Sequence, residues 1–241
     1  MLILYQFPIS HYCEKIRWAL AFKKLEYQTK NLLPGLHALT TKKLSADPSV
    51  PILVHDDKII QNSSDIISYL DTVFPQHLLT PEQDELRQEA LEWERYVDKE
   101  IGIHIRRYLY DTLLEHPSIV IPFFAQGSAW YGPVLCRMMF PVVRKRMREM
   151  MNIKQNTVRL SRNRLERAID KLYTHLQGQK YLVGDRFSRA DLAAASLLAP
   201  ICKPEKYGLD WPRRYPHELE AMIEGNAEKI QWVANLYKEH R

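Results

Sequence analysis

The chain has 241 residues, 46% of them hydrophobic and 26% charged, with 8 Gly against 14 Pro and a net charge of +5. These are globular proportions that exclude disordered, collagen-like and low-complexity classes, and the mild positive charge suits small anionic ligands without arguing for nucleic acid. Three widely spaced cysteines, Cys13, Cys136 and Cys202, exclude a disulfide framework or a four-thiolate zinc site and point to a reducing compartment.

Leu2–Tyr5 is an apolar run of strand length, with no basic lead of the kind a signal peptide carries. From His11 to Leu25 the period turns helical, with Ile16, Ala19 and Leu20 on one face. Tyr27–Leu32 predicts a second strand, Val50–His55 a third and Lys58–Ile60 a fourth, the last two joined by a tight turn at Asp56-Asp57. Ser63–Phe74 then predicts a helix whose buried stripe is Ile66, Ile67, Leu70 and Phe74. This β-α-β…β-β-α order places a small α/β domain at residues 1–77.

The proline-flanked stretch Pro75–Pro81 has no period and opens a linker, assigned to residues 78–85. Residues 86–241 read as all-helical. Leu86, Ala90, Trp93, Val97, Ile101 and Ile105 recur every three to four residues and predict a helix over Glu82–Leu114. Val158, Leu165, Ile169, Leu172 and Leu176 predict another, ending at Gly178. A third runs over Arg189–Cys202, and a last one includes Ile230, Val233 and Tyr237. Pro117–Cys136 carries no charge, but its prolines, glycines and polar groups argue against a membrane span and for an apolar pocket wall or buried loop. The basic cluster Arg144–Arg148 reads as an anion patch or, with more weight, a solvated helix face.

Three short segments can carry chemistry. Ser10 stands between the first strand and the first helix, where unpaired N–H groups and the helix dipole favour an anion such as a thiolate; it also serves as a plain N-cap. Val50-Pro51 opens a strand, where a cis bond would turn the Val50 backbone to a ligand pairing like an added strand. Asn62-Ser63 precedes the third helix and offers neutral donors for a carboxylate, or simple capping. Nine histidines show no close pair at ligand spacing, so no metal is expected.

Taken together these segments closely resemble the N-terminal domain of cytosolic glutathione S-transferases, in the Ser- and Cys-type branches found in bacteria. The matching residues are the strand–Ser10–helix turn running on into Lys15-Ile16-Arg17-Trp18-Ala19-Leu20, the Val50-Pro51 pair, and Asn62 through Leu70. In the second half, Gly184–Leu192 looks like that family's helix-capping segment, with Ser188 as N-cap, Asp191 closing a capping box and Phe187 available as a staple.

The resemblance implies an α+β fold: a thioredoxin-like N-terminal domain, with a four-stranded mixed sheet and three helices, followed by an all-α domain. It implies a transferase that activates the glutathione thiol for attack on small electrophiles of apolar character, in a detoxifying role, with glutathione as co-substrate. It assigns Ser10 as catalytic, and Ser10, Val50, cis-Pro51, Asn62 and Ser63 as glutathione contacts. His37, Lys42 and Lys43 are candidates for the glycyl carboxylate, and Tyr96, Ile103, Arg107 and Tyr108 for the electrophile pocket. Tyr5 and Cys13 compete with Ser10 for the chemistry. The implied assembly is a cytoplasmic homodimer without nucleic acid or membrane insertion. Two other function classes stay open: a glutathione-dependent thiol oxidoreductase or peroxidase using Cys13, and a non-catalytic binding module of the same fold.

Overall fold

In the computed structural model, which describes residues 1–241, four strands form one mixed sheet: β1 (Leu2–Gln6), β2 (Gln28–Asn31), β3 (Ile52–His55) and β4 (Lys58–Gln61), in the order β2-β1-β3-β4. β1 runs parallel to β2, with Ile3 opposite Gln28, and antiparallel to β3, with Leu4 opposite Leu53. A parallel pair needs a crossover, and α1 (His11–Phe22) supplies it. The β3–β4 hairpin turns at Asp56, whose φ of 52° an aspartate tolerates. α2 (His37–Thr41) and α3 (Ser63–Val73) complete the three helices expected here. The alternation in β1 buries Leu4 against Ile16, Leu20, Leu53 and Ile66, all 0% exposed.

Helices alone follow: α4 (Asp84–Val97), α5 (Ile103–Leu113), α6 (Pro117–Ala125), α7 (Gly132–Met150), α8 (Gln155–His175), α9 (Arg189–Cys202), α10 (His217–Gly225) and α11 (Ala227–His240). The stretch predicted as one helix over Glu82–Leu114 is α4 and α5 joined by a π-helical turn at Asp98–Gly102. Its apolar stripe holds, with Ala90, Val97, Ile101 and Ile105 fully buried. No helix is both long and apolar enough to cross a membrane.

The reading of Pro117–Cys136 as a buried loop is corrected: the segment is mostly helical, forming α6, a turn over residues 126–131 and the start of α7. Proline in a helix's first turn gives up an N–H that has no partner there anyway, and Pro117 and Pro133 occupy such places. Pro122 and Pro141 lie inside the two helices. The basic cluster sits on α7, where Arg144 and Arg148 both pair with Glu115 just beyond α5. It is a helix face tied by surface ion pairs.

The two halves meet through a buried polar network. Lys15 of α1 reaches Glu94 at 3.1 Å and Asp98 at 2.8 Å. Arg189 at the start of α9 donates to Glu94 at 2.6 Å and to the Ser64 carbonyl at 3.0 Å. Ser64 donates to Glu94 at 3.0 Å and Asp98 at 3.2 Å. Burial opposes ionising Glu94, but Lys15 and Arg189 outweigh it and hold the carboxyl below its usual range. Ser188 caps α9 and forms the expected box with Asp191, which also accepts the Leu182 N–H at 2.7 Å. Phe187 stacks on Trp18 of α1, with ring centroids 5.5 Å apart. This segment therefore fastens the helical half to α1.

Candidate functional site

A cleft of about 530 Å³ opens where the loop before β3 and the start of α3 face α5. One wall is Ser49, Val50 and Pro51 with Asn62 and Ser63; Tyr12 and Arg106 also border it. The Val50–Pro51 peptide is cis. Val50 lies outside the strands, and neither its N–H nor its C=O has a partner within the chain. Gln61 fixes this loop: its amide donates to the carbonyls of Asp47 at 2.9 Å and Ser49 at 2.7 Å. Asn62 precedes α3 at φ 75°, a backbone region that L side chains rarely enter and that recurs where a scaffold holds a strained residue at a binding site. Ser63, at the first turn of α3, is buried against the cleft, and the unpaired N–H groups of that turn favour an anion.

Ser10 caps α1. Its Oγ accepts the Cys13 N–H at 3.3 Å, which uses a lone pair and leaves the hydroxyl proton free to donate. The cleft reaches the first turn of α1 at Tyr12, two residues past this cap, and Ser10 itself does not line it. Tyr12 itself is committed, donating to the Asp98 carbonyl at 2.9 Å. His11 Nε2–H donates to the Gly102 carbonyl at 3.1 Å, and burial, with the charge of Arg106, lowers its pKa to about 3. A neutral His11 thus ties α1 to the π-turn.

Cys13 is 0% exposed, and burial pushes its thiol up. A thiol neither reachable nor ionised is a poor redox nucleophile, so nothing here favours the Cys13 alternative. Tyr5 is half-buried on β1 between Lys30 and Ile52 and does not line the cleft.

The remaining sequence candidates lie elsewhere. His37 packs edge-on to Phe7 at 5.0 Å and accepts the Gly35 N–H, while Lys42 and Lys43 are exposed; none of the three lines the cleft. None of the four expected electrophile-pocket residues lines this cleft. Tyr96 lies under Lys171 of α8, and Arg107 donates to Met151 O at 2.7 Å and Ser161 Oγ at 2.9 Å. Tyr108 is buried towards α10, near the Glu218 carbonyl, and Ile103 is exposed away from the cleft. The face of the long helix that meets the α/β half carries Glu94, Asp98, Gly102 and Arg106, four residues apart, and only Arg106 reaches the cleft. The signal for that face was present as a polar line broken by one mid-helix glycine. A Cβ on Gly102 would run into the Tyr12 hydroxyl, so the glycine marks the closest approach of the two helices.

Comparison with known proteins agrees with this fold. The family model for the glutathione S-transferase N-terminal domain matches residues 4–78, and that for the C-terminal domain matches residues 134–217. Glutathione S-transferase 1 of Dianthus caryophyllus is 39% identical over 95 residues, which is 38% of this chain and 42% of that protein. The matched stretch thus spans less than half of that relative. Protein LigF of Sphingobium sp. is 27% identical over 183 residues, 70% of this chain and 65% of that protein. The structure of LigF, described as a beta-etherase, superposes with a TM-score of 0.61 at 22% identity, covering 97% of this chain and 98% of that one. A Methylobacterium radiotolerans glutathione S-transferase in complex with glutathione sulfonate gives a TM-score of 0.60 at 20% identity, covering 95% and 92%.

Proposed function

The chain belongs to the glutathione S-transferase family, and from that premise we propose that it activates the glutathione thiol for attack on a small electrophile, with Ser10 as the activating residue. The observation that carries the reading is the junction of two features in one cleft. The unpaired Val50 backbone beside cis-Pro51 meets the Asn62-Ser63 start of α3, and the cleft runs on to the capped first turn of α1. In this reading residues 1–77 bind glutathione and residues 86–241 supply the acceptor side. The Val50 N–H and C=O pair with the cysteinyl backbone, and Asn62 and Ser63 hold the γ-glutamyl carboxylate.

The sulfur then lies at the N-terminus of α1. A glutathione thiol is mostly protonated at pH 7, with an ordinary value near ~8.5. The Ser10 hydroxyl donates to the thiolate, and the helix dipole adds to its stability. A hydrogen bond to a charged group contributes roughly 1.5–3 kcal/mol, enough to lower the pKa by about one to two units. The thiolate attacks the electrophilic carbon, forming the C–S bond as the leaving group departs with its electron pair. The chain acts as a two-fold dimer that sets α3 near the partner's long helix; light scattering at micromolar concentration tests this, and a monomer contradicts it.

Turnover of an activated aryl chloride with glutathione, beside calorimetric binding of glutathione, tests the main reading. Binding with turnover that falls in Ser10→Ala supports it. Binding without turnover of any electrophile would make the chain a non-catalytic member of its family.

A further inference from the structure

Arg106 of α5 borders the cleft, yet its Nε is buried without a hydrogen-bond partner and the side chain enters no ion pair. The other arginines at this level are committed. Arg107 is held by Met151 and Ser161, Arg17 by Glu14, Gln6 and Pro8, and Arg189 by Glu94 and the Ser64 carbonyl. The cleft has two carboxylates of its own, Asp47 and Asp65, and neither lies within ion-pairing distance of Arg106. Arg106 is half-buried and only its Nε is withdrawn from water; leaving that N–H without a partner is costly, so the unpaired guanidinium at the cleft wall is set up to receive an anion.

The lining bears on which anion this is. Val50 and Pro51 are its only aliphatic residues, and the aromatic side chains expected to form an apolar acceptor pocket point elsewhere. A purely apolar acceptor finds little wall here. The γ-glutamyl carboxylate has its own donors at Asn62, Ser63 and the first turn of α3. Arg106 faces His11 and Tyr12 instead, the first turn of α1, where the sulfur and its acceptor meet.

Resting on the transferase reading above, we propose that Arg106 is a specificity residue for the acceptor, which carries a carboxylate that the guanidinium receives. The planar fork of an arginine matches the two oxygens of a carboxylate in a way a lysine cannot.

Calorimetry with three ligands tests this: glutathione, S-benzylglutathione and S-(4-carboxybenzyl)glutathione, each against the full-length wild type, Arg106→Gln and Arg106→Lys. The wild type should bind the carboxybenzyl conjugate about tenfold or more tightly than the benzyl conjugate, as a charge-assisted hydrogen bond implies. The ratio should fall to near one in Arg106→Gln and lie between the two in Arg106→Lys. A ratio near one in the wild type, or one unchanged in Arg106→Gln, overturns the proposal. If Arg106→Gln weakens all three ligands by the same factor, the guanidinium holds glutathione's own carboxylate; the proposal is then wrong while the transferase reading stands. If the wild type binds none of the three, the transferase reading fails and this proposal with it.

Discussion

Ser63 and Ser64 are neighbours in the chain and serve opposite purposes. Ser63 faces the cleft, while Ser64 donates to Glu94 and Asp98 in the buried network that joins the two halves. The same division runs through α1, where Ser10 and Tyr12 belong to the cleft end and Lys15 to the network. It also runs through the long helix, where Glu94 and Asp98 are paired and Arg106 is not. The charged groups that join the two halves are satisfied within the chain. Two groups left unpaired, the Val50 backbone and Arg106, lie together on the cleft wall, while the other unpartnered buried atoms, Ser196 Oγ and Trp232 Nε1, do not line it.

The network should be the most sensitive part of the molecule. Glu94→Ala leaves Lys15 and Arg189 buried and facing one another's charge, and breaking a buried pair in this way costs about 3–5 kcal/mol. Denaturant unfolding should show that loss. A loss below about 1 kcal/mol would mean the network is a weak, solvated contact.

Ser10→Ala should leave most of the stability, with a cap loss of about 0.5–2 kcal/mol, and lower kcat roughly ten- to a hundredfold with a smaller effect on glutathione affinity. Steady-state kinetics on the folded fraction separates the two effects, and Ser10→Thr, which keeps a hydroxyl, should recover part of the rate.

Gly102→Ala touches both regions at once, since the added methyl meets Tyr12 where α1 and the π-turn come closest. Overpacking of this kind costs roughly 1–3 kcal/mol, and displacement of Tyr12 should also weaken glutathione binding. An alanine variant as stable as the wild type would show the approach to be looser than described.

The two regions also differ with pH. The pKa of His11 is depressed from 6.5 to about 3, so its contribution is complete above pH 6.5 and is lost as pH falls towards 3. The slope it adds is at most about 1.4 kcal/mol per pH unit. Glu94, held below its ordinary 4.5, adds its own loss only as pH falls below that value. Denaturant midpoints from pH 7 to pH 4 should fall, and His11→Asn should flatten the upper part of that curve. Smallest of all, Cys13→Ala and Tyr5→Phe should change turnover little, because Cys13 is fully buried with its thiol held protonated by burial and Tyr5 sits within β1, away from the N-terminus of α1. Loss of turnover in Cys13→Ala would mark a different reaction class.

Much of this architecture is legible in the sequence because local signals and the fold agree. The strand runs, the turn at Asp56-Asp57 and the Ser188–Asp191 box each appear where pattern and capping chemistry place them. Prolines misled the reading of α6 and α7, since Pro117 and Pro133 start helices and so look like breakers of one. The acceptor side is less legible. Apolar periodicity shows which face of the long helix is buried in the bundle, but the face towards the α/β half is polar and is set by tertiary contacts with Lys15 and Tyr12. Arg106 and Arg107 are adjacent in sequence, and only the folded chain tells the free guanidinium from the committed one.

The claim on which the functional reading rests is that the Ser10 end of α1 makes the bound thiol acidic. Titrating the ultraviolet absorbance of the thiolate in the glutathione complex, for the wild type and Ser10→Ala, measures this directly. The wild-type complex should ionise about one to two pH units below the variant complex, the shift that one charge-assisted hydrogen bond provides. Equal midpoints in the two proteins would contradict it and take the activating role away from Ser10.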